Sequence, residues 1–183
     1  MIGKKNVVFG FLYLVITASL GPYMIVQMFP DMGAALGEKQ VSVGRLQTLK
    51  NNNFEEELEP LAVDQIARAN TSGILALNKV LNSRQPIDGI KGGPHAHGNL
   101  EALLNIAAGI ALCFIAVAPL FKQIISWVFI AGALMHSGML FLLNFGMEWA
   151  GMLLPVGPWL VLLGLLLIGI AAALGFKGQA VID

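Results

Sequence analysis

His97, Glu101 and Asn105 lie four residues apart in an otherwise apolar stretch, with His95 just before them and His136 inside the next apolar stretch. At about 100° per residue, positions four and eight further along a helix return to nearly the same face. An imidazole, a carboxylate and an amide therefore form one polar stripe. Inside a bilayer each such group costs on the order of a few kcal/mol unless it finds a partner, so the stripe points to a functional site. Three chemistries suit it. An imidazole can be the axial ligand of haem b between apolar helix walls. His95, His97, Glu101 and His136 could offer a bare metal a mixed nitrogen and oxygen set. A buried Glu–His pair can also relay protons or fix helix packing with no cofactor.

Other residues bear on that choice. His136 and Asn144 are eight apart and form a second stripe, with Ser137 beside it. Glu101 has no basic residue in its own segment, so it must bond His97, hold a cation or carry a proton. Two rings in a His-x-His on one helix point to different faces, so a metal set with His95 needs that residue in the preceding loop. Gly98, Ala102, Gly132, Ala133 and Gly138 leave room for a flat macrocycle or, alternatively, for close helix packing. Met135 and Met139 flank His136 and are alternative soft ligands, although packing accounts for them more simply.

The elements that hold these residues must cross a membrane. Of the 183 residues 56% are hydrophobic and 12% charged, with mean hydropathy +0.74, and soluble domains carry about 25% charged residues. The net charge of zero gives no sign of a nucleic-acid partner. The single cysteine, Cys113, allows no intrachain disulfide. Apolar runs at 7–29, 97–120, 124–146 and 155–176 each approach the length of about 20 residues that a span requires. The first run follows Lys4 and Lys5 and has signal-peptide features, but it continues through Phe29, as an uncleaved span does. The expected fold is an all-α integral membrane protein with a single domain over 1–183. Its core is a four-transmembrane-helix up-down bundle, with a tight turn around Pro119 between the second and third spans. By depth, His136 should then lie about one to two turns below His97.

Lys4, Lys5, Lys122 and Lys177 fall at one set of flanks and Glu148 at the other. The positive-inside pattern puts both termini in the cytoplasm, as in a bacterial inner membrane. Trp127, Trp149 and Trp159 suit interfacial belts. The connection at 30–94 is extramembrane and partly helical. Residues 38–50 read as a short helix and Asn51-Asn52-Asn53 as a turn. Glu55-Glu56-Glu57 reads as a solvated face. Another helix opens at Glu59 or Pro60 and is weakened near Asn70-Thr71-Ser72-Gly73. Residues 85–94, with two prolines and three glycines, read as a loop or hinge that delivers His95 and His97, either a lid or a connector.

The phrase His95-Ala96-His97-Gly98-Asn99, followed by Asn105, and the third-helix phrase 138–145 resemble the haem b-containing styrene oxide isomerases, a family of short four-helix membrane proteins. The resemblance covers the second to fourth spans. It implies that His97 ligates haem b at a subunit interface, with the iron acting as a Lewis acid that opens an epoxide toward an aldehyde. Two positions depart from that family: Leu103 stands where it has an asparagine and Leu140 where it has a tyrosine. With this resemblance the expected function is a membrane-embedded haem b protein, an isomerase of small apolar epoxides. His97 and His136 would bind the cofactor, and Asn105 and Glu101 would be polar groups near the open iron face. His97 with His95 would be the choice for a metal. The rival is a non-catalytic or electron-transfer subunit of a larger membrane complex, with His97 and His136 both on one haem. Partners are the bilayer and either a second copy or other membrane subunits.

Overall fold

The computed structural model describes residues 1–181 and is built almost entirely of helices. Helix α1 covers Lys4–Gln27 and α2 Phe29–Asn51. A two-stranded hairpin follows, β1 Glu55–Glu56 with β2 Glu59–Pro60. Helix α3 covers Val63–Ile90 and passes through a π-helical turn, Lys91–His95, into α4, Ala96–Leu112. Helix α5, Pro119–Ala133, is continued by a second π-helical turn, Leu134–Gly138, into α6, Met139–Asn144. A 3-10 turn at Glu148–Met152 leads to α7, Val156–Gly175. Three of these paths, Lys4–Gln27, Pro119–Asn144 and Val156–Gly175, are long and apolar enough to cross a membrane.

The chain divides into two compact units, one of Met1–Pro22 with the residues from Gly89 onward, the other of Tyr23–Asp88. In the first unit four helices pack up-down-up-down. Gly3 meets Gly109, Gly10 meets Ala102 and Ile106, and Thr17 meets Gly98, so α1 and α4 run antiparallel. Asn105 reaches Phe129 and Glu101 reaches Ser137, which sets α4 antiparallel to the α5–α6 path. Gly157 packs on His136 and Gly164 on Phe129, which sets α7 antiparallel to the same path. A side chain at Gly3, Gly10 or Gly157 would collide with backbone, so these glycines are what allows the close approach. One apolar core gathers Ala108, Leu112, Ile115, Ile125, Phe129 and Ala171; a smaller one gathers Tyr13, Ala102 and Ala133.

The second unit is a helical hairpin in its own right. Gly73 of α3 lies against Leu46 of α2, and Lys79 pairs with Glu38, so the two helices are antiparallel. The turn expected at Asn51-Asn52-Asn53 does end α2, with Asn53 and Phe54 at positive φ. Glu57 and Leu58, both at positive φ, make the two-residue turn of the hairpin.

Several expected boundaries are corrected. The second apolar run is not one helix to Leu120: α4 stops at Leu112, and 113–118 is an extended turn bridged by Ile115 to Phe176. Pro119 does not form the turn but opens α5, as a proline without an N–H readily does at a first helical position. Residues 85–94 are not a loop. Pro86 lies inside α3, and the only departure from helical backbone in the π turn is Gly93, at φ −91 and ψ −109. Helix α3 also runs unbroken through Asn70-Thr71-Ser72-Gly73, and it starts at Val63 because Glu59 and Pro60 belong to the hairpin.

Candidate functional site

Glu101 is the centre of the site. It lies one turn into α4, is almost completely buried and points at the second π turn. Its Oε2 accepts hydrogen bonds from the Ser137 backbone N–H (3.3 Å) and the Ser137 hydroxyl. Its Oε1 lies 2.5 Å from His136 Nδ1. The π turn makes this possible. An α-helix spaces residues by 100°, whereas the wider π turn lets neighbouring His136 and Ser137 both reach one carboxylate. Glu101 thus finds its partner on the facing helix and not in His97.

The hydrogen bonds continue inward. The Tyr13 hydroxyl lies 2.8 Å from Ser137 Oγ and 3.3 Å from the Ala133 carbonyl oxygen. Tyr13, Ser137, Glu101 and His136 therefore form one connected path from α1 to the edge of the bundle. The carboxylate beside Nδ1 holds the His136 ring in one orientation. Beyond His136 stands His97, its ring centroid 4.7 Å away and its plane tilted by 52°. His97 is exposed at the start of α4, while the His136 side chain keeps only 16% of its surface accessible.

The expected depth difference between the two histidines disappears for a simple reason. Counting from the turn now starts at Leu112 on α4 and at Pro119 on α5, so both rings come to one level.

The other predicted residues go elsewhere. Asn105 is fully buried and spent on the interior: Oδ1 accepts from Asn6 Nδ2 (3.0 Å), and Nδ2 donates to the Glu101 and Phe129 carbonyls (3.0 and 3.2 Å). It faces no open space, so its expected place beside a reacting atom is corrected to a structural one. Glu101 is likewise spent on His136 and Ser137, and acts only through them. His95 is turned away from the stripe. Its Nδ1 lies 2.9 Å from the Thr17 carbonyl oxygen, and its ring rests on Gly21. Among the described residues no three His, Cys, Asp or Glu side chains converge as a metal set. Asn144 caps its own helix at the Leu140 carbonyl (2.8 Å) and lies near Gly89, away from Glu101.

The fit of a haem can be read from the same geometry. Thr17 packs into the space over Gly98, Val161 lies against Gly132 and the Tyr13 hydroxyl faces Gly138, so these three small residues serve helix packing. Two imidazoles on opposite sides of one iron have ring centres about 6 Å apart for metal–nitrogen bonds near 2 Å. At 4.7 Å, His97 and His136 stand too close for that arrangement. A single imidazole on an outward face, that of His97, remains compatible.

Sequence reasoning missed Asn6, Tyr13 and Thr17. They were legible: spaced by seven and four, they share one face of an apolar span, the same pattern that singles out His97, Glu101 and Asn105. Asn6 closes a second buried cluster, accepting from the Ser126 hydroxyl and donating to the Ser126 carbonyl (3.0 Å). Among the described residues no buried side-chain nitrogen or oxygen lacks a partner.

Comparison with family models, with curated proteins and with solved structures finds no match.

Proposed function

We propose that the chain is a four-span membrane protein that takes haem b on the outward face of His97, with small apolar epoxides as the substrate class. The carrying observation is the pairing of an exposed His97 with His136, whose Nδ1 is held by the buried Glu101. Helix α4 is the fourth span on this reading. It is 17 residues long, and its outward residues Leu100, Leu103 and Ile110 are all apolar and exposed. Those side chains suit lipid or a second copy better than water. Lys4, Lys5 and Lys122 sit at the end of the bundle that holds the 113–118 turn, and Lys177 follows α7 there. Glu148 sits at the other end, which supports cytoplasmic termini in a bacterial inner membrane.

Haem iron, when bound, supplies a Lewis acid for the epoxide oxygen. The chain supplies the rest. His97 is the ligand. His136, oriented through Nδ1, stands beside it, and Glu101, Ser137 and Tyr13 complete its hydrogen-bonded support.

The test is the visible spectrum of the detergent-purified protein, oxidised and dithionite-reduced. The expected result is a Soret band of an iron with one strong axial imidazole, lost in His97→Ala and kept in His136→Ala. A colourless wild-type protein would sink the proposal. The rival, an accessory membrane subunit, is favoured by one observation: Glu101 and Asn105 are both consumed by internal bonds. Stoichiometric co-purification with redox subunits and no pigment would establish it.

A further inference from the structure

At the lysine-bearing end of the first unit, α1 and α5 run parallel and leave a cleft of about 610 Å³ between them. Its polar rim is Lys4, Lys5 and Gln123; its walls are Val8, Phe9, Trp127 and Ile130, among others. The described residues that line it include two lysines and no carboxylate. From this cleft we infer a binding site for the headgroup and upper acyl chains of an anionic phospholipid.

Charge and shape both point to that occupant. Lys5 is positioned, not loose: its ammonium donates to Gln123 Oε1 and sits 4.2 Å from the centre of the Trp127 ring. An ammonium has three N–H donors, so Gln123 leaves donors for a phosphate oxygen. Lys4, one residue earlier and exposed, adds a second cation at the rim. A phosphate diester bearing one negative charge matches this pair, whereas a zwitterionic headgroup brings its own cation. Below the rim the lining turns apolar, as acyl chains require. Trp127 is 59% exposed at the junction, where an indole prefers the boundary between headgroups and hydrocarbon. Nothing in the site depends on His97 or on a cofactor, so it stands apart from the haem reading.

The test is quenching of Trp127 fluorescence in a Trp149→Phe/Trp159→Phe background, reconstituted in bilayers. Brominated phosphatidylglycerol is compared with brominated phosphatidylcholine of the same chains, each diluted in unbrominated phosphatidylcholine. The expected result is at least threefold stronger quenching by the anionic lipid at equal mole fraction. Lys4→Gln, which leaves the contacts of Lys5 intact, should reduce that preference, and Lys4→Gln/Lys5→Gln should abolish it while quenching by the zwitterionic lipid persists. Lys4→Arg/Lys5→Arg should restore it. Equal quenching by the two lipids would overturn the site, as would a preference that survives the double glutamine variant. Displacement of the brominated lipid by soluble glycerol phosphate would assign the cleft to a free phosphate and overturn the lipid reading.

Discussion

The two units treat charged and polar side chains in opposite ways. In the unit of residues 23–88, four ion pairs lie on the surface: Arg45–Glu56, Arg68–Asp64, Lys79–Glu38 and Arg84–Asp88. Each partner keeps between 45% and 83% of its side-chain surface accessible. In the other unit the pairing is internal: Glu101 with His136 and Ser137, Tyr13 with Ser137, and Asn6 with Asn105 and Ser126. Water can replace a lost partner in the first case and cannot in the second. Similar chemical groups therefore carry different consequences, small where solvent competes and large where it is excluded.

The largest break in this comparison is Glu101→Ala. It strips the acceptor from His136 Nδ1, the Ser137 hydroxyl and the Ser137 N–H together. Removing one member of a buried, hydrogen-bonded pair costs about 3–5 kcal/mol. Denaturant unfolding in detergent should show a loss of about 3 kcal/mol or more, with Glu101→Gln losing less because an amide oxygen still accepts from Ser137. A loss under about 1 kcal/mol for Glu101→Ala would mean that solvent reaches the carboxylate and that the contrast between the units is false.

Gly157→Ala should come next. A Cβ there meets the backbone and Cβ of His136, so α7 must move away from the π turn. Overpacking of this kind costs about 1–3 kcal/mol. Gly169→Ala on the same helix, with open space around it, is the control and should leave stability unchanged or raise it by up to about 1 kcal/mol, the helix preference of alanine over glycine. Equal effects at the two glycines would show that α7 is not seated on His136.

Tyr13→Phe is a smaller and cleaner probe. The ring remains stacked on Phe9, with centroids 5.1 Å apart, and only the hydroxyl is lost. Its bond to Ser137 is worth about 1 kcal/mol. Because Ser137 also donates to Glu101, Tyr13→Phe and Glu101→Gln should be non-additive in a double-mutant cycle. Additive losses would break the path into independent contacts.

How much of this was legible in the sequence depends on the period involved. The apolar runs were read as four spans by length, of which three are helical paths long and apolar enough to cross a membrane, and the stripe of His97, Glu101 and Asn105 was visible as a helical repeat. The helical continuity of 85–94 was not. Prolines and glycines are read as breakers, yet Pro86 is accommodated within α3 and Gly93 alone absorbs the kink. The pairing of Glu101 with His136 was not legible either, because it depends on the π turn at Leu134–Gly138 and on a helix that ends at Leu112. Both shift the register between facing helices by amounts that no local pattern reports. Tyr13 was legible in principle, as part of the polar face of α1, but its partner on another helix was not.

The smallest expected effect sharpens the comparison from the other side. Arg84→Ala removes the bond from Nε to Asp88 (2.9 Å), a pair spaced by four residues along α3. Both side chains keep more than half of their surface accessible, at 63% and 56%. Pairs of this kind contribute about 0.3–0.5 kcal/mol, and salt screens them over roughly 10 Å at 0.1 M. Wild type and Arg84→Ala should therefore differ by less than about 1 kcal/mol at low salt and converge as salt is raised. The stability lost in Glu101→Ala should not move over the same salt range, since ions do not enter the helix packing around Glu101. A salt-dependent Glu101→Ala penalty would show that water and ions reach the carboxylate, and the two units would then differ in geometry but not in solvent exclusion.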